Sequence, residues 1–368
     1  MSIAQRAPEY IRAISPYIPG KPISELAREM GLREEEVVKL ASNENPLGAS
    51  PKALEAAQKA LKEAHRYPDG NGFALKTALT RKFGVAQDQI VLGNGSNDLL
   101  DLCARAFLHA QTSAIYSQYA FAVYPLAVKS VGAQGIEVLA RNFGHDLPGM
   151  LTAIRSDTRL VFIANPNNPT GNFLPGSEIE AFLDAAPSDV LIVLDEAYNE
   201  YLDPEQRYDA VAWLAKYPNL VIIRTFSKIY GLGGLRAGYA LANPAVADLL
   251  NRVREPFNVN NVALAAAEAA LGDAEFLSRS HAVNHAGKAQ LIAGLNALGL
   301  EFIPSSGNFL TFRVADTAAV NRKLLEQGVI VRPLGNYQMP EWLRVTIGLP
   351  EENERFLAAL KQTLGRAA

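Results

Sequence analysis

Val190-Leu-Ile-Val-Leu-Asp-Glu-Ala-Tyr198 is an unbroken apolar run that ends on two carboxylates. Branched aliphatics occupy both alternations, so neither face is left for water. That predicts a strand buried on both sides, as in a parallel sheet covered by helices. Three more runs share the texture: Gln89-Ile-Val-Leu-Gly93, Leu160-Val-Phe-Ile-Ala164 and Leu220-Val-Ile-Ile223. Helical patterns lie between them. Asn97–Leu108 has apolar residues at helical spacing, and Ser177–Ala186 follows a Pro-Gly turn, with Ser177 placed to cap it and Glu180 three residues on. Strands alternating with helices predict an α/β fold: a mostly parallel sheet between helices, joined by right-handed crossovers.

Beyond about residue 250 the texture changes. Val262–Leu271 reads as a helix stopped by Gly272, and a longer helix covers Phe276–Leu298. Short strands are expected near Glu301–Ile303, Phe309–Val314 and Leu343–Ile347, with a helix around Ala318–Gln327. Residues 251–368 are therefore expected to form a smaller α+β domain beside a large domain over residues 46–250. Residues 1–45, punctuated by Pro8, Pro16, Pro19 and Pro22, read as an arm with one short helix that joins the small domain. Glu34-Glu-Glu36 reads as a solvated helix face.

Composition narrows the class of function. A chain of 368 residues suits about two domains at roughly 150 residues each. A net charge of −3 leaves no basic excess to grip a nucleic acid backbone, so none is expected as a partner. The single cysteine, Cys103, can form no intrachain disulfide and no multi-cysteine zinc site. The first ten residues have no apolar core and include Glu9, so no secretory signal is expected. No apolar run approaches the roughly 18–20 residues that span a bilayer. These features predict a cytoplasmic enzyme of small molecules.

In open α/β sheets, ligands bind outside the carboxyl ends of the strands. The segments that follow the runs are Gly93-Asn-Gly-Ser-Asn-Asp98, Asn165-Pro-Asn-Asn-Pro-Thr-Gly171, Asp195-Glu-Ala-Tyr198 and Arg224-Thr-Phe-Ser-Lys228, the last leading into Gly231-Leu-Gly-Gly-Leu-Arg236. Each alone has a plain structural reading. The first is a tight turn with a cap, or a nest of N–H groups and a helix N-terminus that holds a phosphate. Asn165–Gly171 is a turn by composition, Asp195 a helix cap, and Lys228 an ordinary lysine. Gly231-Leu-Gly-Gly sits too far down the chain for a dinucleotide fingerprint. Gathered at one sheet edge, they have one economical explanation, pyridoxal 5'-phosphate. That cofactor needs a lysine for a Schiff base, an acid for its pyridinium nitrogen, donors for its ring oxygen and a cradle for its phosphate.

Ser42-Asn-Glu-Asn-Pro-Leu-Gly48, Arg66-Tyr-Pro-Asp69, Asn165–Gly171, Asp195–Tyr198 and Thr225-Phe-Ser-Lys228 together resemble the fold-type-I pyridoxal-phosphate aminotransferases of class I/II. Pro16-Tyr-Ile-Pro-Gly-Lys21 and Leu343-Arg-Val-Thr-Ile-Gly348 narrow the resemblance to the histidinol-phosphate aminotransferase family, from about Tyr10 to Leu364. Aromatic-amino-acid transaminases and threonine-phosphate decarboxylases look similar and stand as alternatives. The resemblance implies transamination between histidinol phosphate and 2-oxoglutarate, giving imidazole acetol phosphate and glutamate, a reaction that runs in reverse in histidine biosynthesis. It also implies a homodimer with shared active sites.

Site roles follow from the same resemblance. Lys228 would carry the cofactor and then move the substrate proton, while Asp195 would pair with the ring nitrogen. Asn168 and Tyr198 would bond the ring oxygen, and Tyr119 would stack on the ring. Ser96, Asn97, Thr225, Ser227 and Arg236 would surround the phosphate. Many relatives carry an acidic residue where Asn97 stands, which touches only its side-chain contact. Tyr67 would reach the cofactor phosphate of the partner subunit. Tyr17, Asn308, Arg332 and Arg344 would bind substrate, the arginines serving a phosphate in one half-reaction and a carboxylate in the other. His281 and His285 are four apart on a helix but lack a third ligand, so no metal is expected. A binding protein built on an inactive version of this fold is opposed by the presence of Lys228 and Asp195.

Overall fold

A computed structural model describes residues 2–17 and 19–365. The apolar runs become strands of one seven-stranded sheet: β1 Ile90–Gly93, β2 Ser113–Ser117, β3 Gln134–Val138, β4 Thr158–Ala164, β5 Leu191–Asp195, β6 Leu220–Thr225 and β7 Gly238–Ala242. Their order is β1-β7-β6-β5-β4-β2-β3. The two alternations of each central strand feed separate cores. Val161, Ile163, Ile192, Leu194 and Ile222 pack on one face. Leu160, Phe162, Leu191, Val193 and Val221 pack on the other. Burial on both faces thus follows directly from the uniformly apolar runs.

Strands β3, β2, β4, β5 and β6 run parallel, but β7 is antiparallel to both β6 and β1. The β6–β7 connection contains no α-helix, so the chain returns to the sheet edge-on in the opposite sense. Gly238-Tyr-Ala-Leu-Ala242 has no β-branched residue, which is why its strand was not legible. The helix after Pro175 spans Gly176–Ala185 without a side-chain cap, so Ser177 lies inside it instead of capping it.

A second, antiparallel sheet of Phe302–Ile303, Phe309–Arg313, Trp342–Thr346 and Arg332–Pro333 carries a core of Leu291, Leu310, Phe312, Val345 and Phe356. Val38–Lys39 pairs in parallel with Val329–Ile330, and the helix Ile23–Met30 packs Leu26 and Ala27 beside Ile330. The start of the arm touches the larger body instead, where Tyr10 closes on Gly132. Helix Asn261–Leu271, expected in the smaller domain, packs on helix Pro51–Leu61, and its Ala263, Ala266 and Ala270 join the larger core. No helix among the described residues is long and apolar enough to cross a membrane.

Candidate active site

The carboxyl ends of β1, β4, β5 and β6 open into a cleft, partly open to solvent, whose far wall is the smaller body. Asp195 ends β5 and is buried. Tyr124 donates to its Oδ2 at 2.9 Å, and the Ala197 N–H donates to its Oδ1 at 3.2 Å. Burial raises its pKa to about 6 against these two bonds. No cation pairs with it at salt-bridge distance among the described residues.

Lys228 follows β6 in the same cleft and donates to the Ser42 carbonyl at 3.2 Å. Its amine is brought down to about 8, first by burial and then by the charges of Arg344 and Arg236, against the pull of Glu44. The amine lies 5.6 Å from the Tyr198 ring centroid. The Tyr198 hydroxyl accepts from Asn43 Nδ2 at 2.9 Å, and burial raises its pKa.

Helix Ser96–Phe107 points its N-terminus into the cleft, beside Ser227 and Arg236. Gly95, at φ 84°, precedes it, and a Cβ there would collide with the Arg236 guanidinium. Arg236 donates to Ser227 Oγ at 3.2 Å and to the Gly233 carbonyl at 3.1 Å, with no carboxylate partner among the described residues. Helix N–H groups, hydroxyls and a guanidinium form one electropositive pole, opposite in character to Asp195.

Arg344 comes from the strand Trp342–Thr346 of the smaller body and is buried. It donates to Asn168 Oδ1 and, at 2.8 Å, to the Ala41 carbonyl, while its buried Nε has no partner. Arg332 lines the same wall, its guanidinium 5.6 Å from the ring centroid of half-exposed Tyr17. Arg344, a buried guanidinium whose hydrogen bonds go to an amide oxygen and a backbone carbonyl, is suited to an incoming anion.

The cleft thus brings together Tyr17, Ser96, Asn97, Asn168, Asp195, Tyr198, Thr225, Ser227, Lys228, Arg236, Arg332 and Arg344. Two expected residues lie elsewhere, and Tyr67, expected to serve the partner's site, lies outside its own cleft. Tyr119 has a left-handed backbone, φ 57°, and its ring lies 6.0 Å from that of Phe143; Phe121 lines the cleft instead. Asn308 stands behind the wall, donating to the carbonyl of Asn43, which itself lines the cleft. Tyr67 is 83% exposed and stacks on Phe257, outside its own chain's cleft.

Sequence reasoning missed Phe121, Tyr124 and Asn43. The available signals were the aromatic spacing in Gln118-Tyr-Ala-Phe-Ala-Val-Tyr124 and the Ser42-Asn-Glu motif, to which no role was attached. His281 and His285 both face Asp203, at 3.7 and 3.5 Å, and among the described residues no group of three potential ligands could hold a metal.

Residues 35–360 match the family Aminotransferase class I and II. The chain is 61% identical to Histidinol-phosphate aminotransferase 2 of Nitrosospira multiformis, over 100% of this chain and 95% of that one. It is 62% identical to Histidinol-phosphate aminotransferase 1 of Cupriavidus pinatubonensis, over 97% and 96%. Among solved structures, the histidinol-phosphate aminotransferase of Sinorhizobium meliloti in complex with pyridoxal-5'-phosphate superposes with a TM-score of 0.90, at 29% identity, covering 98% of each chain.

Proposed function

The chain belongs to the aminotransferase class I and II family, and from that premise we propose that it is a fold-type-I enzyme that transaminates histidinol phosphate with 2-oxoglutarate. The observation that carries this reading is one cleft that holds a depressed lysine, a buried carboxylate with no salt-bridge partner among the described residues, and an anion pole at a helix N-terminus. These residues fit pyridoxal 5'-phosphate. Asp195 would offer a buried anion to a protonated ring nitrogen, and Asn168 and Tyr198 would bond the ring oxygen. Ser96, Asn97, Thr225, Ser227 and Arg236 would hold the phosphate, and Phe121, which lines the cleft where Tyr119 does not, would contact the ring. When bound, the cofactor supplies an electron sink for the pair released at the substrate α-carbon.

The protein's own groups do the rest. Lys228, held near neutrality by burial and by two guanidinium neighbours, takes the proton from the α-carbon and returns it at the cofactor's C4′. Only the neutral amine attacks a carbonyl, and its fraction grows as pH rises through the pKa. Covalent uptake of pyridoxal phosphate by the cofactor-free protein is therefore expected to accelerate with a midpoint near about 8. Stopped-flow absorbance checks this, and a midpoint near the ordinary lysine value of about 10.4 contradicts it.

Arg344 and Arg332 bind the substrate phosphate in one half-reaction and the glutamate carboxylate in the other. Removing a buried charge-assisted fork costs about 2–5 kcal/mol. Arg344→Ala is expected to lower kcat/KM for both donors by tens- to thousands-fold, and Arg332→Ala to hurt histidinol phosphate more than glutamate. Steady-state kinetics with each donor test this. The same assay tests the function itself, because glutamate must form in step with histidinol phosphate consumed. Sustained turnover without 2-oxoglutarate, with carbon dioxide released from a phospho-amino acid, would support the lyase reading.

The active species is a cytoplasmic homodimer in which Tyr67 reaches the partner's phosphate site. Support comes from the exposed Tyr67–Phe257 stack, with Leu54, Leu61 and Phe73 also exposed, and from the absence of Tyr67 from its own cleft. Mixing an inactive Lys228→Ala chain with an inactive Tyr67 variant is expected to regenerate activity, since one mixed site receives Lys228 and Tyr67 from different chains. No regained activity in proven heterodimers contradicts the sharing.

A further inference from the structure

Tyr124 is fully buried on helix Val123–Ser130, at the floor of the cleft. Its ring stacks on Phe162 at 4.7 Å and 3° and meets Phe121 edge-on at 5.9 Å and 88°. Two aromatic contacts fix the ring, so the hydroxyl has one direction available, and it points at Asp195 Oδ2, 2.9 Å away. The Ala197 N–H holds the other carboxylate oxygen. Asp195 therefore receives one donor on each oxygen, and each oxygen keeps a lone pair for the cleft.

We propose that Tyr124 is a positioning residue: its hydroxyl holds Asp195 as an oriented anion and so keeps the shared proton on the cofactor's ring nitrogen instead of on the carboxylate. This rests on the pyridoxal-phosphate reading above and extends it to a residue outside the assigned set. The physical argument is a competition for one proton. Burial makes Asp195 a stronger base, and Tyr124 is the largest group opposing that. Glu196, behind Asp195, strengthens the base further, and Lys228, across the cleft, weakens it. Both remain when the Tyr124 hydroxyl is removed. Without that hydroxyl the carboxylate pulls the proton toward itself, and a ring nitrogen without its proton is a poorer electron sink.

Tyr124→Phe removes one oxygen and keeps both ring contacts. Two readouts besides activity apply. In the cofactor-free protein, carbon-13 NMR of the aspartate carboxyls, assigned with Asp195→Asn, is expected to show the Asp195 midpoint rising by roughly one pH unit, a tenfold change in proton affinity. In protein loaded with pyridoxal phosphate labelled with nitrogen-15 in the ring, the ring resonance is expected to be at the protonated position in the parent and to move toward the unprotonated one in the variant. Turnover should fall roughly tenfold while KM for histidinol phosphate stays within about twofold. A fluorinated tyrosine at position 124, a stronger donor, should move the Asp195 midpoint down, which keeps the idea testable if the Phe variant folds poorly. An unchanged ring-nitrogen resonance in folded Tyr124→Phe overturns the proposal. A parent that takes up no pyridoxal phosphate defeats the functional reading on which it rests, a failure visible before any variant is made.

Discussion

Lys228→Ala is expected to abolish multiple turnover with histidinol phosphate. General acid–base groups contribute roughly 10²–10⁴-fold on their own. This substitution also removes the covalent anchor, so the loss should reach or pass the upper end of that range. The variant should fold normally, because the one hydrogen bond of the lysine among the described residues goes to the Ser42 carbonyl. Borohydride reduction of the loaded parent, followed by peptide mapping, is expected to place the label on the peptide containing Thr225-Phe-Ser-Lys228. Label on any other lysine removes Lys228 from its role. The distinguishing physical feature of this lysine is its surroundings: burial and two guanidinium neighbours bring its amine down to about 8.

The second large effect is expected at Asp195. Asp195→Asn keeps the shape and the Ala197 contact but removes the anion that makes a proton on the ring nitrogen favourable. Turnover should fall by several orders of magnitude, and at ~1.4 kcal/mol per decade three decades are about 4 kcal/mol. Cofactor should still bind through its phosphate and through Lys228. Its stability consequence in the cofactor-free protein has a definite sign. Burial raises the folded-state pKa to about 6, above the ordinary aspartate value of about 3.9. Ionised Asp195 therefore costs the empty fold stability above pH 6, and that cost disappears as pH falls toward 4. Asp195→Asn should make the cofactor-free protein more stable at pH 8, with little change near pH 4. Thermal melts at the two pH values check this, and near-normal turnover would remove Asp195 from its role toward the ring nitrogen.

The sheet was legible because Val190–Leu194 and its sister runs are apolar on both alternations, a pattern that admits water on neither face. Their order along the chain placed Asn168, Asp195, Lys228 and the loop at Gly93–Asp98 at one edge. Gly238–Ala242 was not legible: its strand exists because a helix-free loop forces the chain back beside β6, a constraint of tertiary structure and not of local propensity. Helix Asn261–Leu271 was legible as a helix but not as part of the larger core, since its alanine-rich surface gives no direction and facing residues on Pro51–Leu61 and Phe73–Phe83, Ala53, Ala57, Leu75 and Leu79 among them, supply one. At the site, the choice between Tyr119 and Phe121 depends on a left-handed residue after β2, which no composition signals for tyrosine. Asn308 was expected to bind substrate, but its side chain donates to the Asn43 carbonyl behind the cleft wall, a contact that joins residues 265 apart in sequence.

The most direct test compares kcat/KM for histidinol phosphate, phenylalanine and tyrosine as amino donors to 2-oxoglutarate in the parent protein. A phosphate held by a buried guanidinium is worth at least about 2 kcal/mol relative to a donor without it. Histidinol phosphate should therefore exceed both aromatic amino acids by roughly 30-fold or more. Phenylalanine matching or beating histidinol phosphate would contradict the account and make the protein an aromatic-amino-acid transaminase built on the same lysine and aspartate.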